Sequence, residues 1–237
     1  MPRMADRPVD EIHQDLEHVD HVIEDRTSAL AKAKQLIARI RERLPKLRKR
    51  RKKLKKALAL AEGGRQKPNV VLTKISPNRS SRGGVTPRLM VLHSTESDNR
   101  EGNSDLDAIA TYFASPSAQA SSHVLTDADG NSARCVPDPD KAWTQAGFNP
   151  YCLSIEQIGR ASQTSWAEAQ LRESARWLAK WSRDFGIPLQ RGEVSGSAVT
   201  KPGVVTHKQL GAYGGGHVDP GDGYPVDKVI KLAKEYR

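Results

Sequence analysis

The residue types that could do chemistry lie in the C-terminal two thirds of the chain. Four of the seven histidines fall there, and two of them end apolar runs: His93 closes LMVLH and His207 closes VVTH. Asp219 follows His207 after twelve residues, in the sequence HVDPG. Two imidazoles and one carboxylate suit zinc, with a fourth coordination position left to water. The sequence therefore predicts a metal site, although a strand-end histidine can also be a core residue and Asp-Pro-Gly a simple turn.

A carboxylate stands inside another apolar run. Glu156 lies in the sequence LSIEQI, which is typical of a strand. Because side chains alternate between the two faces of a strand, Glu156 could simply face solvent. Beside a metal it could instead take a proton from water and pass it to a leaving group. The residues alone leave both interpretations open.

Short apolar runs alternate with helical segments after about residue 69. This alternation predicts an α/β domain with a mixed central sheet flanked by helices. A capping box of Ser165 with Glu168 is expected to begin one of the helices. The predicted strands cover residues 70–75, 88–93, 122–126, 153–158 and 204–207, and the predicted helices cover residues 104–115, 165–185 and 226–236.

Residues 8–62 predict a different structure, a long helix with apolar residues every three or four positions. Of the sixteen positions in this series, only Arg26 and Arg51 are not apolar. A period of 3.5 residues held over this length indicates a coiled-coil seam. Pro45 interrupts it, so the segment is either one kinked helix open to self-association or a helical hairpin whose halves bury each other. A helix packed on the following domain is the third alternative.

The formal net charge of +10 comes from one segment of this helix. Residues 41–56 hold eleven Lys and Arg against one Glu, and the rest of the chain is balanced. The segment has no aromatic residue on which a base could stack, which argues against a nucleic-acid partner. Attraction to anionic envelope polymers or to a membrane surface is the favoured interpretation. Solvated charge on a helix surface is the simpler one.

A stretch containing glycine and proline separates the two parts of the chain. Residues 63–68, with the sequence GGRQKP, carry helix-stopping signals. The sequence therefore predicts a basic helical arm at 8–62, a linker at 63–68 and an α/β domain at 69–237. No apolar stretch approaches the roughly 20 residues that a membrane-spanning helix needs.

Six short motifs in the α/β part carry a family resemblance. In chain order they are LHST, SSHVLTDADG, AW followed by G, SIEQIG, THKQLG and HVDPG. Together, over roughly residues 85–225, they resemble the type-2 N-acetylmuramoyl-L-alanine amidases, which share their fold with peptidoglycan recognition proteins and include many phage endolysins. The resemblance implies a shallow substrate groove, a zinc ion held by His93, His207 and Asp219, and Glu156 as the catalytic carboxylate.

The chain departs from the family pattern around the expected site. Ser122 stands where many relatives carry a tyrosine that assists the reaction, His217 where many carry a lysine, and Thr144 where the AWH motif has its histidine. We expect His217 to replace the lysine by donating a hydrogen bond to the developing oxyanion. Trp143, Ser122 and Thr95 are expected to contact substrate, with a core position as the alternative for Trp143.

The resemblance implies hydrolysis of the amide bond between N-acetylmuramic acid and L-alanine in bacterial peptidoglycan. A non-catalytic peptidoglycan-binding module is the alternative, but such relatives typically lose a metal ligand, and all three candidates are present here. The N-terminal residues lack the apolar core of a secretory signal. Together with the wall substrate that the resemblance implies, this favours a phage endolysin made in the host cytoplasm and released to the wall at lysis. A bacterial autolysin exported by another route and a toxin effector are the alternatives. Cys135 and Cys152 could pair or stay reduced.

Overall fold

The computed structural model of the chain describes residues 8–62, 66–99 and 104–237, without the side chains of residue 52 and residues 54–62. The chain divides into two units, with the boundary between residues 61 and 62. Residues 63–65 of the predicted linker lie outside the described residues. Each unit is described on its own.

The N-terminal unit is a single helix, α1 (Val9–Glu62). Asp10 and Glu11 lie in its first turn, where negative charge complements the helix dipole. Pro45 lies inside α1, so the hairpin that the sequence left open is not formed. Among the described residues, no helix is both long and apolar enough to cross a bilayer.

The C-terminal unit alternates strands with helices, as the sequence predicts. Its described helices are α2 (Ser104–Ala114), α3 (Glu168–Phe185) and α4 (Val226–Tyr236). Its described strands are β1 (Val70–Thr73), β2 (Arg79–Ser81), β3 (Leu89–Ser94), β4 (Val124–Thr126), β5 (Ser132–Arg134), β6 (Asp140–Ala142), β7 (Cys152–Gln157), β8 (Glu193–Ser195), β9 (Ala198–Lys201) and β10 (Gly203–Thr206).

A six-stranded sheet with the order β1-β5-β4-β7-β3-β10 forms the centre of this unit. Its strand pairs are parallel except for β4 with β5, which the turn after Thr126 joins as an antiparallel pair. Two small antiparallel pairs, β2 with β6 and β8 with β9, complete the described strands. The predicted fold class, a mixed sheet flanked by helices after a long N-terminal helix, is confirmed.

Side-chain alternation on the central strands decides which face carries the candidate site. Met90, Leu92, Leu153 and Ile155 point toward one face, where they are fully buried in a cluster with side chains of α3 and α4. His93 in β3 and Glu156 in β7 alternate with these residues along their strands, so they point toward the other face. Helices α3 and α4 therefore cover the face of the sheet opposite to the one toward which His93 and Glu156 point.

The structure differs from the sequence predictions at several element ends. The capping box is wrong, because α3 begins at Glu168 with Ala167 as its N-cap and no side-chain cap. Glu168 instead forms ion pairs with Arg172 and Lys228. Strands β2, β5, β6, β8 and β9 were not predicted, because three or four residues are too few for an alternating pattern to be recognised.

The two cysteines do not form a disulfide. Cys135 and Cys152 are both buried and free. Burial raises the pKa of the Cys135 thiol to about 12 and also raises that of Cys152. Both thiols are therefore neutral near pH 7 and act as small apolar core residues.

Replacing Leu92 by Ala tests the layer between the sheet and α3. Leu92 is fully buried, so we expect the free energy of unfolding to fall by about 2–5 kcal/mol. Urea unfolding can be followed by tryptophan fluorescence, because all four tryptophans lie in the C-terminal unit. The control Val71→Ala, on a strand where Val71 is 45% exposed, should change the value by no more than about 0.5 kcal/mol. Equal losses in both variants would contradict this packing.

Candidate active site

Three elements bring the predicted metal ligands to one point. His93 lies in β3, and β10 runs parallel beside it with Thr206 opposite Leu92. His207 follows directly, as the first residue of a short 3-10 turn, His207–Leu210. The loop that carries Asp219 is attached to this turn, since the Lys208 amide donates to the Asp219 carbonyl at 3.0 Å.

The ligand atoms lie close together and are shielded from solvent. His93 Nδ1 is 3.0 Å from His207 Nδ1 and 3.3 Å from Asp219 Oδ2. His207 Nδ1 is 3.0 Å from Asp219 Oδ1. All three residues are buried. The structure thus brings together three residues that lie up to 126 positions apart in the sequence.

This donor set fits a zinc ion in both chemistry and spacing. Ligand atoms about 2.0 Å from a tetrahedral zinc lie about 3.3 Å from one another, close to the observed separations. The other nitrogen of His207, Nε2, donates to the Gly214 carbonyl at 2.8 Å. That hydrogen bond puts the ring proton on Nε2 and leaves the Nδ1 lone pair free for a metal.

His93 has a different environment on its second nitrogen. Its Nε2 is buried without a hydrogen-bond partner, and the same holds for both amide atoms of Gln145. The side chain of Gln145 lies beside the His93 ring. A small rotation of the amide would let the Gln145 oxygen accept a hydrogen bond from the Nε2–H of His93. That bond would hold the His93 ring in the same way as the Gly214 carbonyl holds the ring of His207. Sequence reasoning missed Gln145, because a buried glutamine in an irregular segment leaves no periodic signal.

Electrostatics favour the protonation states that a metal requires. Burial lowers the pKa of His93 to about 4, so its imidazole is neutral near pH 7. Burial disfavours the charge on Asp219, but its close contacts with His207 and His93 outweigh burial and hold the pKa of this carboxyl well below its usual range. Neutral imidazoles with an ionised carboxylate are the ligand forms that bind a divalent cation.

Glu156 stands next to the three ligands. It is the register partner of His93 across β7 and β3, and its Oε1 lies 3.9 Å from His93 Nδ1. Its Oε2 is buried and has no hydrogen-bond partner. Burial raises the pKa of Glu156 well above its usual range, and the charges of Asp219 and Glu96 raise it further. A raised pKa of this kind is typical of carboxyls that exchange protons with substrate.

A cleft of about 540 Å³ opens over these groups. Glu156, His207 and Asp219 line its floor. One wall is apolar and comes from α2. The residues of that wall are Ala108, Ile109, Tyr112 and Phe113.

Three of the residues expected to bind substrate or assist the reaction line the cleft. They are Thr95, Trp143 and His217. Trp143 is half-buried and its Nε1 donates to Ser80 Oγ at 3.1 Å, which holds the ring in place. The ring of His217 stacks on that of His207, with centroids 4.5 Å apart and planes inclined by 20°.

Ser122 does not reach the cleft. It is fully buried, and its hydroxyl lies 3.0 Å from both the Ser154 carbonyl and the Ser154 hydroxyl. Its position therefore gives no support to the expected substrate contact. His123 is also fully buried, with its ring nitrogens next to Ser154 Oγ and the Arg82 guanidinium.

Comparison with known proteins agrees with the motifs. The profile of the type-2 N-acetylmuramoyl-L-alanine amidase family matches residues 83–222. The match covers more than half of the chain and contains all three metal-ligand candidates, Glu156 and the cleft. The chain belongs to this family.

One curated relative matches part of this chain. The chain is 36% identical over 98 residues to N-acetylmuramoyl-L-alanine amidase A of Achromobacter lyticus, which covers 40% of this chain and 52% of that protein. The chain thus spans about half the length of this curated relative.

Solved structures show the same fold at low sequence identity. The hydrolase AmiA of Staphylococcus aureus, solved with its ligand, superposes with a TM-score of 0.55 at 21% identity, covering 72% of this chain and 84% of that one. The endolysin amidase LysCS from Clostridium intestinale gives a TM-score of 0.51 at 15% identity, covering 72% and 99%.

The variant Asp219→Asn tests whether these three residues form a metal site. Removing the charged ligand should weaken zinc binding by more than the roughly 10–100-fold that loss of a supporting hydrogen bond costs. Zinc content after dialysis, measured by mass spectrometry, should fall from one ion per chain to nearly none. The matched control is Asp222→Asn, an exposed residue of the same loop that pairs with Lys208. Unchanged zinc content in Asp219→Asn would rule out this ligand set.

Proposed function

We propose that this protein is a zinc-dependent N-acetylmuramoyl-L-alanine amidase. It would hydrolyse the amide bond between the lactyl group of N-acetylmuramic acid and the L-alanine of the stem peptide in bacterial peptidoglycan. The observation that carries the proposal is the convergence of His93, His207 and Asp219 next to a cleft, with the unpaired carboxylate oxygen of Glu156 beside them. Membership of the amidase family supports the same reaction.

His93, His207 and Asp219 would hold the zinc ion. When bound there, zinc supplies a Lewis acid that acidifies water and polarises the scissile carbonyl. The hydrogen bond from His207 Nε2 to the Gly214 carbonyl keeps one ligand aligned. The amide of Ser94, 3.3 Å from Asp219 Oδ2, helps to orient the carboxylate.

Glu156 is the proton carrier of the proposed reaction. Its carboxylate takes a proton from the attacking water and then gives it to the alanine nitrogen as the carbon–nitrogen bond breaks. The products are the lactyl carboxylic acid and a free amine, so the water is fully accounted for. The raised pKa of Glu156 suits this role, because the group must bind the proton and release it in one turnover.

His217 stabilises charge in the proposed reaction. Its ring stacks on the ring of His207, and this contact holds His217 at the cleft that it lines. From there an imidazole N–H can donate to the carbonyl oxygen as negative charge develops. This is the role that the lysine of many relatives would fill.

The cleft suits a peptide attached to a sugar. Its apolar wall on α2 can accept aliphatic stem-peptide groups, and the fixed ring of Trp143 offers a flat surface for a sugar or a peptide bond. Thr95 contributes a hydroxyl at the same rim, held by a 2.7 Å hydrogen bond with Ser97.

The biological role that we propose is that of a phage endolysin. The similar fold of an endolysin amidase supports it. In this role the protein would be made in the host cytoplasm and would reach the wall at lysis. Attraction of the basic segment 41–56 to anionic envelope polymers or to the membrane surface stays a prediction.

The variant Glu156→Gln tests the assignment of the proton carrier. It preserves the shape of the side chain and removes its basicity, so kcat should fall by about 100-fold or more while zinc content stays at one ion per chain. The assay is release of L-alanine amino groups from purified peptidoglycan. The control Glu193→Gln, an exposed residue paired with Lys201, should keep full activity.

Two outcomes would overturn parts of this proposal. Full activity of Glu156→Gln would show that another group carries the proton. A zinc-loaded parent protein that binds peptidoglycan but releases no amine would be a binding module, the alternative that the sequence left open.

A further inference from the structure

The helix α1 carries an exposed apolar face. Eleven of its large apolar side chains, between Val9 and Leu47, are 36–68% exposed. They recur at the first and fourth positions of successive heptads, with Val22 and Leu36 widening the stripe. A single narrow apolar stripe cannot bury itself, and coiled coils cover such stripes with a second helix.

The charge on α1 is divided between its two ends. Residues 9–25 contain seven Asp and Glu and no Lys or Arg, whereas residues 41–56 contain eleven Lys and Arg and one Glu. A parallel pair of such helices would set acidic ends together and basic ends together. An antiparallel pair sets each acidic end beside a basic end, which is the attractive arrangement.

We propose that α1 forms an antiparallel two-stranded coiled coil with a second copy of this chain. The inference goes beyond the proposed function and does not depend on it. Charge complementarity identifies a second copy of this chain as the partner, because α1 supplies both the acidic and the basic segment that the pairing needs.

The heptad spacing gives the register. Aligning the helices so that the numbers of facing residues sum to 70 places each first heptad position opposite a fourth one, as antiparallel packing requires. Ile23 then faces the partner's Leu47, and Leu30 faces the partner's Ile40. The same register overlaps residues 9–61 of both copies without an overhang, over a length of about 80 Å.

The two arginines in the seam point to the same orientation. In a parallel pair, Arg26 and Arg51 would each meet the identical residue of the partner, placing like charges in one layer of the interface. In the antiparallel register, Arg26 faces the partner's Leu44 and Arg51 faces the partner's Val19. Each arginine can then lay its aliphatic stem on an apolar neighbour and extend its charge to solvent.

Cysteine cross-linking tests orientation and register together. Ile23→Cys and Leu47→Cys are made separately in the full chain, one with a mass tag, then mixed and mildly oxidised. We expect a disulfide between the two variants and none when either is oxidised alone. Cys135 and Cys152 are buried and so stay unreactive in the folded protein. A disulfide within each variant alone would indicate a parallel pair and overturn the proposal, as would the absence of any cross-link.

Sedimentation with a matched pair of variants tests the interface itself. The parent should sediment at twice 26.1 kDa, and Leu30→Asp, which puts a charge in two layers, should sediment as a monomer at the same concentration. Ser28→Asp, which adds the same charge at an exposed position off the seam, should stay dimeric. Raising salt should weaken the dimer, because its charge attraction is screened.

A different partner for the apolar face of α1, or for its basic segment 41–56, would give different results. A parent that is monomeric at low salt and changes its sedimentation only with inorganic polyphosphate would show a polyanion site instead, and would overturn the proposal. A dimer that strengthens with salt would contradict the antiparallel orientation. None of these measurements uses amidase activity, so their outcome is separate from that of the proposed function.

Discussion

The buried negative charge of Asp219 between two imidazoles is the interaction on which the rest of the site depends. A carboxylate removed from water is costly unless hydrogen bonds or a cation compensate it. Here two Nδ1 atoms lie within 3.3 Å of its oxygens. The same spacing defines a metal site, and the same charge raises the pKa of Glu156 nearby. Ligand geometry and the proton affinity of the proposed base are therefore coupled through one side chain.

The sheet makes this arrangement possible. β7, β3 and β10 are adjacent and parallel, and their register sets Glu156 level with His93 and brings His207 just past the end of its own strand. Side-chain alternation then points His93 and Glu156 away from the face that α3 and α4 cover. The apolar layer on that face fixes the strands, so the polar groups on the other face are held in place by packing far from the cleft.

The sequence could predict the site better than its surroundings. His93, His207 and Asp219 stand at the ends of apolar runs or in a turn, and their types suit a metal ion once they are brought together. Gln145 and the cleft wall at Tyr112 could not be predicted, because their roles depend on which side chains meet across distant segments. Ser122 shows the limit of motif comparison, because its position was expected to contact substrate and its side chain is buried against Ser154.

Long-range periodicity was a better guide to the N-terminal helix than any single residue. The unbroken heptad pattern over residues 8–62 favoured one helix, while Pro45 left both a kinked helix and a hairpin open; the structure has one helix. A proline removes one hydrogen bond, whereas the surrounding strong helix formers continue the helix on both sides. The short strands β8 and β9 show the reverse case, because three or four residues leave too little pattern to recognise.

The central claim is best tested by locating the metal directly. Crystals grown with zinc would be measured on both sides of the zinc absorption edge. The account predicts one anomalous peak per chain, about 2.0–2.2 Å from Nδ1 of His93, Nδ1 of His207 and a carboxylate oxygen of Asp219. No peak at this position, or a peak bound by other side chains, would contradict it.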